Sequence, residues 1–182
     1  MKALIIVDVQ NDFCTGGALP VQGGENIIPY INNDMQNHDL VIATKDWHPS
    51  DHSSFFSNNE KGIWANHCVK GSYGAELHKN LNTEGIDFIF SKGYNKEVDS
   101  YSGFFDENRQ STGLGEFLAQ KGITEVTIVG LAFEYCVKFT AFDACSLGFK
   151  TTIDMNGTRA LESYFKTLKE CIGKRIKLKE RI

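Results

Sequence analysis

The sequence lacks a long apolar run. Its most hydrophobic N-terminal segment, residues 3–7, is interrupted at Asp8. A segment of this length is too short for the core of a signal peptide or for a helix that spans a membrane. The sequence therefore predicts a cytoplasmic protein without a membrane partner.

A strong charge of either sign is also absent, because the 182 residues carry a formal net charge of −4. Such a charge provides no electrostatic reason to expect nucleic acid or a membrane surface as a partner. The remaining expectation is a small-molecule substrate. The sequence leaves open whether the protein is a monomer or a homo-oligomer.

The five cysteines include no CxxC pair, and they are odd in number and widely spaced. They are Cys14, Cys68, Cys136, Cys145 and Cys171. This pattern argues against a disulfide framework and against a structural zinc knuckle. Free thiols are expected, and only a cysteine beside a charge or a helix start is a candidate for chemistry.

A glycine-rich phosphate loop is missing as well. The pairs Gly16-Gly17 and Gly23-Gly24 follow the first predicted strand, but they form neither GxGxxG nor a P-loop. This absence weakens a nucleotide-binding interpretation.

What is present is an alternation of strands and helices over a length that fits one domain, residues 1–182. Apolar runs rich in β-branched residues predict strands over residues 3–9, 39–45, 88–91, 125–130 and 150–153. Helices are predicted over residues 25–37, 114–121, 134–147 and 158–172, and the basic tail is either a last strand edge or a solvated terminus. This alternation predicts a three-layer α/β/α fold with a doubly wound, mostly parallel sheet.

Polar residues follow the predicted strands at the points where they end. Asp8, Asp46 and Lys92 lie at such ends, and Cys136 follows the turn after the fourth strand. Ligands of open α/β sheets bind outside the carboxyl ends of the strands. We therefore expect these four groups to form an active site at one rim of the sheet.

Cys136 is the candidate nucleophile, because it lies near the start of a predicted helix, where unpaired N–H groups stabilise a thiolate. Asp8, half desolvated at the end of the first strand, is a candidate general base, and Lys92 is a cation that orients it. Each residue also has an ordinary structural interpretation: Cys136 packs against the sheet, Asp8 caps a loop and Lys92 lies at the surface.

Asp46 and His48 are two residues apart, on one side of an extended strand, and His52 and His67 follow in the long connection over residues 46–77. One aspartate with two histidines is typical of a divalent transition-metal site that keeps open positions. Histidines in a loop are also often merely hydrogen-bonded. Spacing alone leaves both interpretations open.

Phe13, Trp64 and Tyr101 lie in predicted loops rather than at core periodicity. Phe13 and Trp64 are candidate walls for a flat aromatic substrate, although Phe13 is also compatible with the core. Tyr101, in the second long connection over residues 92–112, is expected to pack that loop.

Seven motifs together carry a family resemblance. They are Ile6-Val-Asp-Val-Gln-Asn-Asp-Phe13, Asp46-Trp-His-Pro-Ser-Asp-His52, Trp64-Ala-Asn-His-Cys-Val-Lys-Gly71, Lys92-Gly93, Asp99-Ser-Tyr-Ser102, Val129-Gly-Leu-Ala-Phe-Glu-Tyr-Cys-Val137 and Thr158-Arg-Ala160. Over about residues 2–160 the chain resembles the nicotinamidases of the isochorismatase-like cysteine hydrolase superfamily.

The resemblance implies the isochorismatase-like hydrolase fold and the deamidation of nicotinamide to nicotinate and ammonia in NAD salvage, with pyrazinamide as a further substrate. It implies a catalytic triad of Asp8, Lys92 and Cys136, with a thioester formed on Cys136. It also implies an oxyanion hole at the N–H groups of Ala132 and Cys136, after a cis peptide bond between Leu131 and Ala132.

The same resemblance implies one divalent metal ion per chain, with Asp46, His48 and His67 as ligands. His52 matches a position that ligates either directly or through water. Zinc is the expected metal, and iron and manganese are the alternatives. The implied role of the metal is to anchor the pyridine nitrogen and to order water.

The sequence departs from the family pattern at Phe133-Glu134, where relatives mostly have Thr-Asp, and at Trp64-Ala65, where they mostly have Trp-Pro. Glu134 is expected to be a poorer helix cap than aspartate, and Phe133 to add bulk beside the nucleophile. Both changes leave the catalytic groups in place and alter the surroundings of the pocket.

Two other functions stay open. One is an amidohydrolase of the same superfamily that acts on carbamoyl or ureido substrates, against which the metal-ligand set counts. The other is a non-catalytic small-molecule binding module in which Cys136 is merely buried. Metal content tests the first, and the rate at which Cys136 is alkylated near neutral pH tests the second.

Overall fold

A single parallel sheet organises the computed structural model, which describes residues 1–58, 60–162, 164–174 and 176–180. Within these residues the sheet has six strands: β1 Lys2–Val7, β2 Leu40–Asp46, β3 Phe88–Lys92, β4 Glu125–Gly130, β5 Lys150–Thr158 and β6 Lys177–Lys179. Their spatial order is β3-β2-β1-β4-β5-β6, and every pairing is parallel. The predicted parallel sheet is confirmed, and the basic tail supplies its last strand.

Four α-helices and several short turns connect the strands in the described part of the chain. The helices are α1 Ile28–Asp34, α2 Leu114–Gln120, α3 Lys138–Ser146 and α4 Tyr164–Gly173. Short 3-10 turns, Gly24–Ile27 and Met35–Asn37, extend α1 at both ends, so helical structure covers the predicted residues 25–37. A π-helical turn, Phe133–Val137, precedes α3. No helix among the described residues is long and apolar enough to cross a membrane.

The predicted start of the last helix, at residue 158, is wrong. β5 continues to Thr158, which pairs with Gly130, and α4 begins only at Tyr164. Asp154, Asn156 and Gly157 are poor strand formers, and for that reason the sequence predicted an earlier strand end. Contacts with neighbouring elements override this local preference, because the Asp154 carboxylate accepts hydrogen bonds within the structure.

The sheet is buried on both faces because successive residues of a strand point to opposite sides. In β1, Ala3, Ile5 and Val7 pack in the hydrophobic cluster that also contains residues of α2, α3 and α4. Leu4 and Ile6 pack in the cluster that contains residues of α1. The three-layer α/β/α arrangement is therefore confirmed, with one helix on one face and three on the other.

The strand order reverses between β1 and β4, which makes their carboxyl ends the topological switch point of the sheet. Gly130 ends β4 there with φ of 120°, and a Cβ at this position would lie 2.0 Å from the carbonyl oxygen of Val7. Only glycine allows this approach of the two backbones. The reversal of strand order leaves a crevice at the carboxyl ends of β1 and β4, which is the predicted rim.

Candidate active site

The structure brings Asp8, Lys92 and Cys136 together at the switch point. Lys92 Nζ lies 2.9 Å from Asp8 Oδ2 and 3.5 Å from Cys136 Sγ, and it donates a hydrogen bond of 2.8 Å to the carbonyl oxygen of Ser100. Lys92 is only 1% exposed and Asp8 is fully buried. The alternative interpretation of Lys92 as an ordinary surface lysine is therefore wrong.

Asp8 owes its position to a change of direction directly after β1. Its φ is 50°, in the left-handed region that non-glycine residues rarely adopt and that clusters at functional sites. Its Oδ1 accepts a 2.7 Å hydrogen bond from Thr44 Oγ1. Its Oδ2 receives no well-aligned hydrogen bond from any described residue. This second oxygen therefore keeps a lone pair available for a proton.

Cys136 lies on the turn that follows β4, rather than at the start of a regular helix. The peptide bond between Leu131 and Ala132 is cis, as predicted. Ala132 then precedes the π-helical turn, and the backbone leaves helical geometry at Tyr135, with φ of −118° and ψ of −107°. The N–H of Ala132 donates no hydrogen bond to the described residues. It is thus available to a ligand beside the thiol.

Burial dominates the electrostatics of the thiol. It raises the pKa of Cys136 well above its ordinary value, Lys92 opposes the shift, and Asp8 adds to it. Burial and the charge of Asp46 also raise the pKa of Asp8, although Lys92 opposes them. The turn therefore does not provide the expected helix start, and because burial favours the protonated thiol, the attack depends on a base.

A second group of buried side chains adjoins the first. Asp46, His48 and His67 each present a potential ligand atom, and these atoms all lie within 4.8 Å of one another. Asp46 Oδ2 is 3.6 Å from His48 Nε2 and 4.0 Å from His67 Nε2. One carboxylate and two imidazoles around a shared centre form a donor set that suits a divalent transition metal.

Hydrogen bonds to backbone carbonyls orient both imidazoles toward that centre. His48 Nδ1 lies 2.8 Å from the oxygen of Gly93, and His67 Nδ1 lies 2.7 Å from the oxygen of Ala65. With Nδ1 as donor, Nε2 presents its lone pair, which is the usual arrangement of metal-binding histidines. Burial lowers the pKa of His67 and so favours the neutral form that binds a cation. The residues therefore fit a metal site.

Gly93 has a steric role in this arrangement. Its φ is +66°, and a Cβ at this position would lie 2.4 Å from His48 Cε1. Glycine thus allows the carbonyl of residue 93 to approach the imidazole that it orients.

His52 is buried beside His48, with ring centroids 4.3 Å apart, but it is not in the group of mutually close ligand atoms. Its Nδ1 lies 2.8 Å from Ser54 Oγ, and its Nε2 lies 3.4 Å from the oxygen of Val98. This geometry gives no support to direct ligation by His52.

Lys92 connects the two groups, because its Nζ also donates a short hydrogen bond to Asp46 Oδ1. Burial alone would raise the pKa of Asp46, but interactions led by the charge of Lys92 outweigh burial and lower it. Asp46 is therefore ionised, with one oxygen toward the lysine and the other toward the imidazoles.

A cavity opens between the two groups, and both predicted aromatic walls line it. Its lining comprises Phe13, Leu19, Val21, Asp46, Trp64, His67, Asp99, Ser100, Tyr101, Ala132, Tyr135, Cys136 and Leu161. Trp64 Nε1 donates a 3.0 Å hydrogen bond to Tyr101 Oη, which joins the two long connections at the cavity. Tyr101 therefore both packs its loop and lines the site.

Sequence reasoning missed several residues that hold this site. Gln10 accepts a hydrogen bond from the backbone N–H of Asp46 and donates to its carbonyl oxygen, each at 2.8 Å. It also donates to the oxygen of Ala75. Its position two residues after Asp8, inside the first motif, was the available signal. Ser100 likewise lies inside the motif Asp99-Ser-Tyr-Ser102, whereas Leu161 had no comparable signal.

The fold and the chemistry of the rim define the class of protein as an α/β hydrolase with a cysteine at its switch point, and comparisons with known proteins agree. The model of the isochorismatase domain matches residues 2–169. The chain therefore belongs to the isochorismatase family.

Three similar proteins illustrate the relationship. A nicotinamidase of Escherichia coli is 41% identical, over 88% of this chain and 84% of that protein. PnC1 from L. infantum, solved in complex with nicotinate, is 38% identical with a TM-score of 0.95, over 98% of this chain and 91% of that one. A pyrazinamidase of Pyrococcus horikoshii in complex with zinc is 36% identical with a TM-score of 0.87, over 99% of each chain.

Proposed function

We propose that this protein is a metal-dependent cysteine amidohydrolase that converts nicotinamide to nicotinate and ammonia. Pyrazinamide is a second substrate, and the physiological role is NAD salvage in the cytoplasm. The observation that carries the proposal is the contact of Lys92 Nζ with both Asp8 and Cys136, at 2.9 and 3.5 Å, beside a cavity with aromatic walls. The similarity to the nicotinamidases described above supports the choice of substrate.

Asp8 is the general base of the first step. The Cys136 thiol gives its proton to Asp8 Oδ2 as sulfur attacks the amide carbon. The raised pKa of Asp8 makes it a better proton acceptor than an exposed aspartate. Lys92 holds the carboxylate in place and offsets the negative charge that moves to sulfur.

The N–H groups of Ala132 and Cys136 stabilise the oxyanion of the tetrahedral intermediate. A well-placed donor of this kind typically contributes about 3–4 kcal/mol to the transition state. Protonated Asp8 then gives its proton to the departing nitrogen, the C–N bond breaks, and ammonia leaves a thioester on Cys136. Asp8 next accepts a proton from water, whose oxygen attacks the thioester. The intermediate then collapses with cleavage of the C–S bond, and protonated Asp8 returns its proton to sulfur, which releases the carboxylic acid and restores the thiol.

Asp46, His48 and His67 would hold one divalent metal ion per chain, and we propose zinc. When bound, the ion supplies a Lewis acid that anchors the ring nitrogen and orders water. Phe13 and Trp64 pack against the faces of the ring, and this positions the amide beside the thiol.

A carbamoyl or ureido amidohydrolase is the alternative within the family. The buried donor set of Asp46, His48 and His67 favours the metal-dependent reaction over this alternative. The contact of Lys92 with both Asp8 and Cys136 argues against a non-catalytic binding module, because such a module needs neither a base nor a cation beside the thiol. Slow alkylation of Cys136 would not by itself favour this module, because burial raises the pKa of the thiol and slows its alkylation in a working enzyme as well.

The test is ammonia release from nicotinamide, pyrazinamide and benzamide, measured with the metal content of the same preparation. Nicotinamide and pyrazinamide are expected to turn over. Benzamide keeps the ring and the amide but lacks the ring nitrogen, and a kcat/KM at least about a hundredfold lower is expected for it. Comparable values for benzamide and nicotinamide would instead indicate a general aromatic amidase.

A further inference from the structure

Glu134 lies two residues before Cys136, yet its carboxylate does not cap its own turn. Oε2 accepts a 3.0 Å hydrogen bond from the backbone N–H of Leu161, and Oε1 accepts a 2.5 Å bond from that of Glu162. Two successive N–H groups that converge on one carboxylate form a compact anion-binding arrangement. Because the acceptor is charged, these bonds are stronger than bonds between neutral groups.

The segment held by Glu134 leads from β5 toward α4 and crosses the nucleophile turn. The backbone N–H of Phe133 donates a 2.8 Å hydrogen bond to the oxygen of Arg159. The segment is therefore attached to the turn at two points, once through the backbone and once through the Glu134 side chain. The second point is at Leu161.

Leu161 is one wall of the cavity that contains Cys136, and it also packs against the hydrophobic cluster of Phe13 and Val21. Its backbone N–H has Glu134 as its acceptor. The carboxylate thus connects the position of this wall to the turn that carries the nucleophile. A shorter side chain at residue 134 would leave the backbone of the wall bonded to the turn only through Phe133 and Arg159, and an uncharged one would weaken the bond at Leu161.

We propose that Glu134 is a positioning residue that holds Leu161 against the cavity and so determines how closely the cavity fits the ring of the substrate. This inference rests on the proposed function, because the ring in question is that of nicotinamide. It adds a specificity determinant that acts through the pocket wall rather than through the reacting groups.

The expected kinetic effect follows from the chemistry of Leu161. An apolar wall contacts the ring equally in the ground state and in the transition state, and it offers nothing to the developing oxyanion. Its displacement should therefore raise KM and leave kcat little changed. If the Leu161 side chain can move away from the cavity, the cavity should also accommodate a nicotinamide ring that carries a methyl group.

The experiment compares Glu134→Ala, Glu134→Gln and Leu161→Ala, with the double variant Glu134→Ala/Leu161→Ala. Glu134→Gln preserves shape but turns one acceptor into an NH₂ group that faces an N–H. Each single variant is expected to raise KM for nicotinamide roughly tenfold and to improve ring-methylated nicotinamides relative to nicotinamide. The double variant should be no worse than Leu161→Ala, because both changes remove one interaction.

Glu84→Ala is the matched control, since this exposed glutamate lies before the amino end of β3, at the opposite rim of the sheet. It should leave KM and kcat unchanged. Unchanged KM and selectivity in both Glu134 variants, with the Leu161→Ala effect present, would overturn the inference. Loss of kcat without a change in KM would also overturn it, because that result assigns Glu134 to the nucleophile turn alone.

Binding measured without turnover separates this inference from the proposed function. Calorimetric titration of nicotinamide into Cys136→Ala, with and without Glu134→Ala, should show a roughly tenfold higher Kd in the double variant. Equal Kd values would contradict the inference. A wild-type protein that binds nicotinamide but releases no ammonia would contradict the proposed function and leave the result for Glu134 intact.

Discussion

Two fully buried aspartates, Asp154 and Asp8, are each paired with a lysine, and they differ in how completely their oxygens are satisfied. Asp154 Oδ1 accepts hydrogen bonds from the backbone N–H and the Nδ2 of Asn156. Its Oδ2 accepts one from Tyr30 Oη at 2.7 Å and pairs with Lys179 Nζ at 2.6 Å. Every acceptor is thus occupied, and the cluster ties β5, β6 and α1 together.

Asp8 lies in a less complete environment. Thr44 donates to one oxygen, while the other has the ion pair with Lys92 but no well-aligned donor among the described residues. A carboxylate oxygen of Asp8 also lies within 4.8 Å of the thiol of Cys136. The pKa values respond accordingly. Burial raises that of Asp8, whereas hydrogen bonds from Lys179 and Tyr30 outweigh burial at Asp154 and lower its pKa. A satisfied carboxylate stabilises the fold, and an incompletely satisfied one is available for proton transfer.

The largest effect is expected from a substitution of Cys136, the thiol that lies beside Asp8. Cys136→Ala should reduce ammonia release from nicotinamide to below about one per cent of wild type, because the covalent route has no substitute nucleophile. The free energy of unfolding should change little. Cys171→Ala, at a buried cysteine in α4, is the control and should retain activity. Turnover above that level in Cys136→Ala would exclude the proposed mechanism.

The second prediction applies one substitution to both clusters. Lys92→Met leaves two buried carboxylates, Asp8 and Asp46, without their shared cation, and should lower the unfolding free energy by about 3–5 kcal/mol and abolish turnover. Lys179→Met should cost less and leave turnover unchanged, because Lys179 is 44% exposed. Denaturant unfolding and ammonia release measure both. Equal stability losses in the two variants would contradict the distinction between the clusters.

Metal binding gives the third test. Asp46→Ala and His48→Ala should each lose bound metal and raise KM, because a site with three protein ligands cannot spare one. His78→Ala removes a histidine outside the proposed ligand set and should keep the metal. Elemental analysis of the purified variants checks the expectation. Full occupancy in Asp46→Ala or His48→Ala would exclude that residue as a ligand.

The smallest effect is expected at the satisfied cluster. Asp154→Asn should lower the unfolding free energy at pH 7 by about 1–3 kcal/mol without changing turnover. Because the folded pKa of Asp154 is below its unfolded value of about 3.9, the wild-type advantage is present above that pH. It should disappear as the pH falls through the folded pKa. Denaturant unfolding at pH 7 and pH 3 measures the gap, and a gap as large at pH 3 as at pH 7 would refute this account.

Much of the rim could be predicted because strand ends follow from local patterns. Asp46 and Lys92 end β2 and β3, directly after the predicted runs, whereas β1 ends at Val7, two residues before the end predicted for it, so that Asp8 directly follows it. The start of α4 was not predictable, because the contacts that extend β5 to Thr158 come from distant parts of the chain. The role of Glu134 was missed for the same reason, since its partner Leu161 lies 27 residues away.

By itself the sequence determined the parallel sheet and the meeting of four reactive groups at one rim, because alternating apolar strands and helices leave few other arrangements. Its motifs also predicted a set of metal donors and the cis bond before Ala132, of which the structure confirms the cis bond. Only the tertiary structure decided the burial of the Cys136 thiol, the shared position of Lys92 between two carboxylates and the attachment of Leu161 to the nucleophile turn. These properties depend on desolvation and on contacts between remote segments, which exist only once the chain has packed.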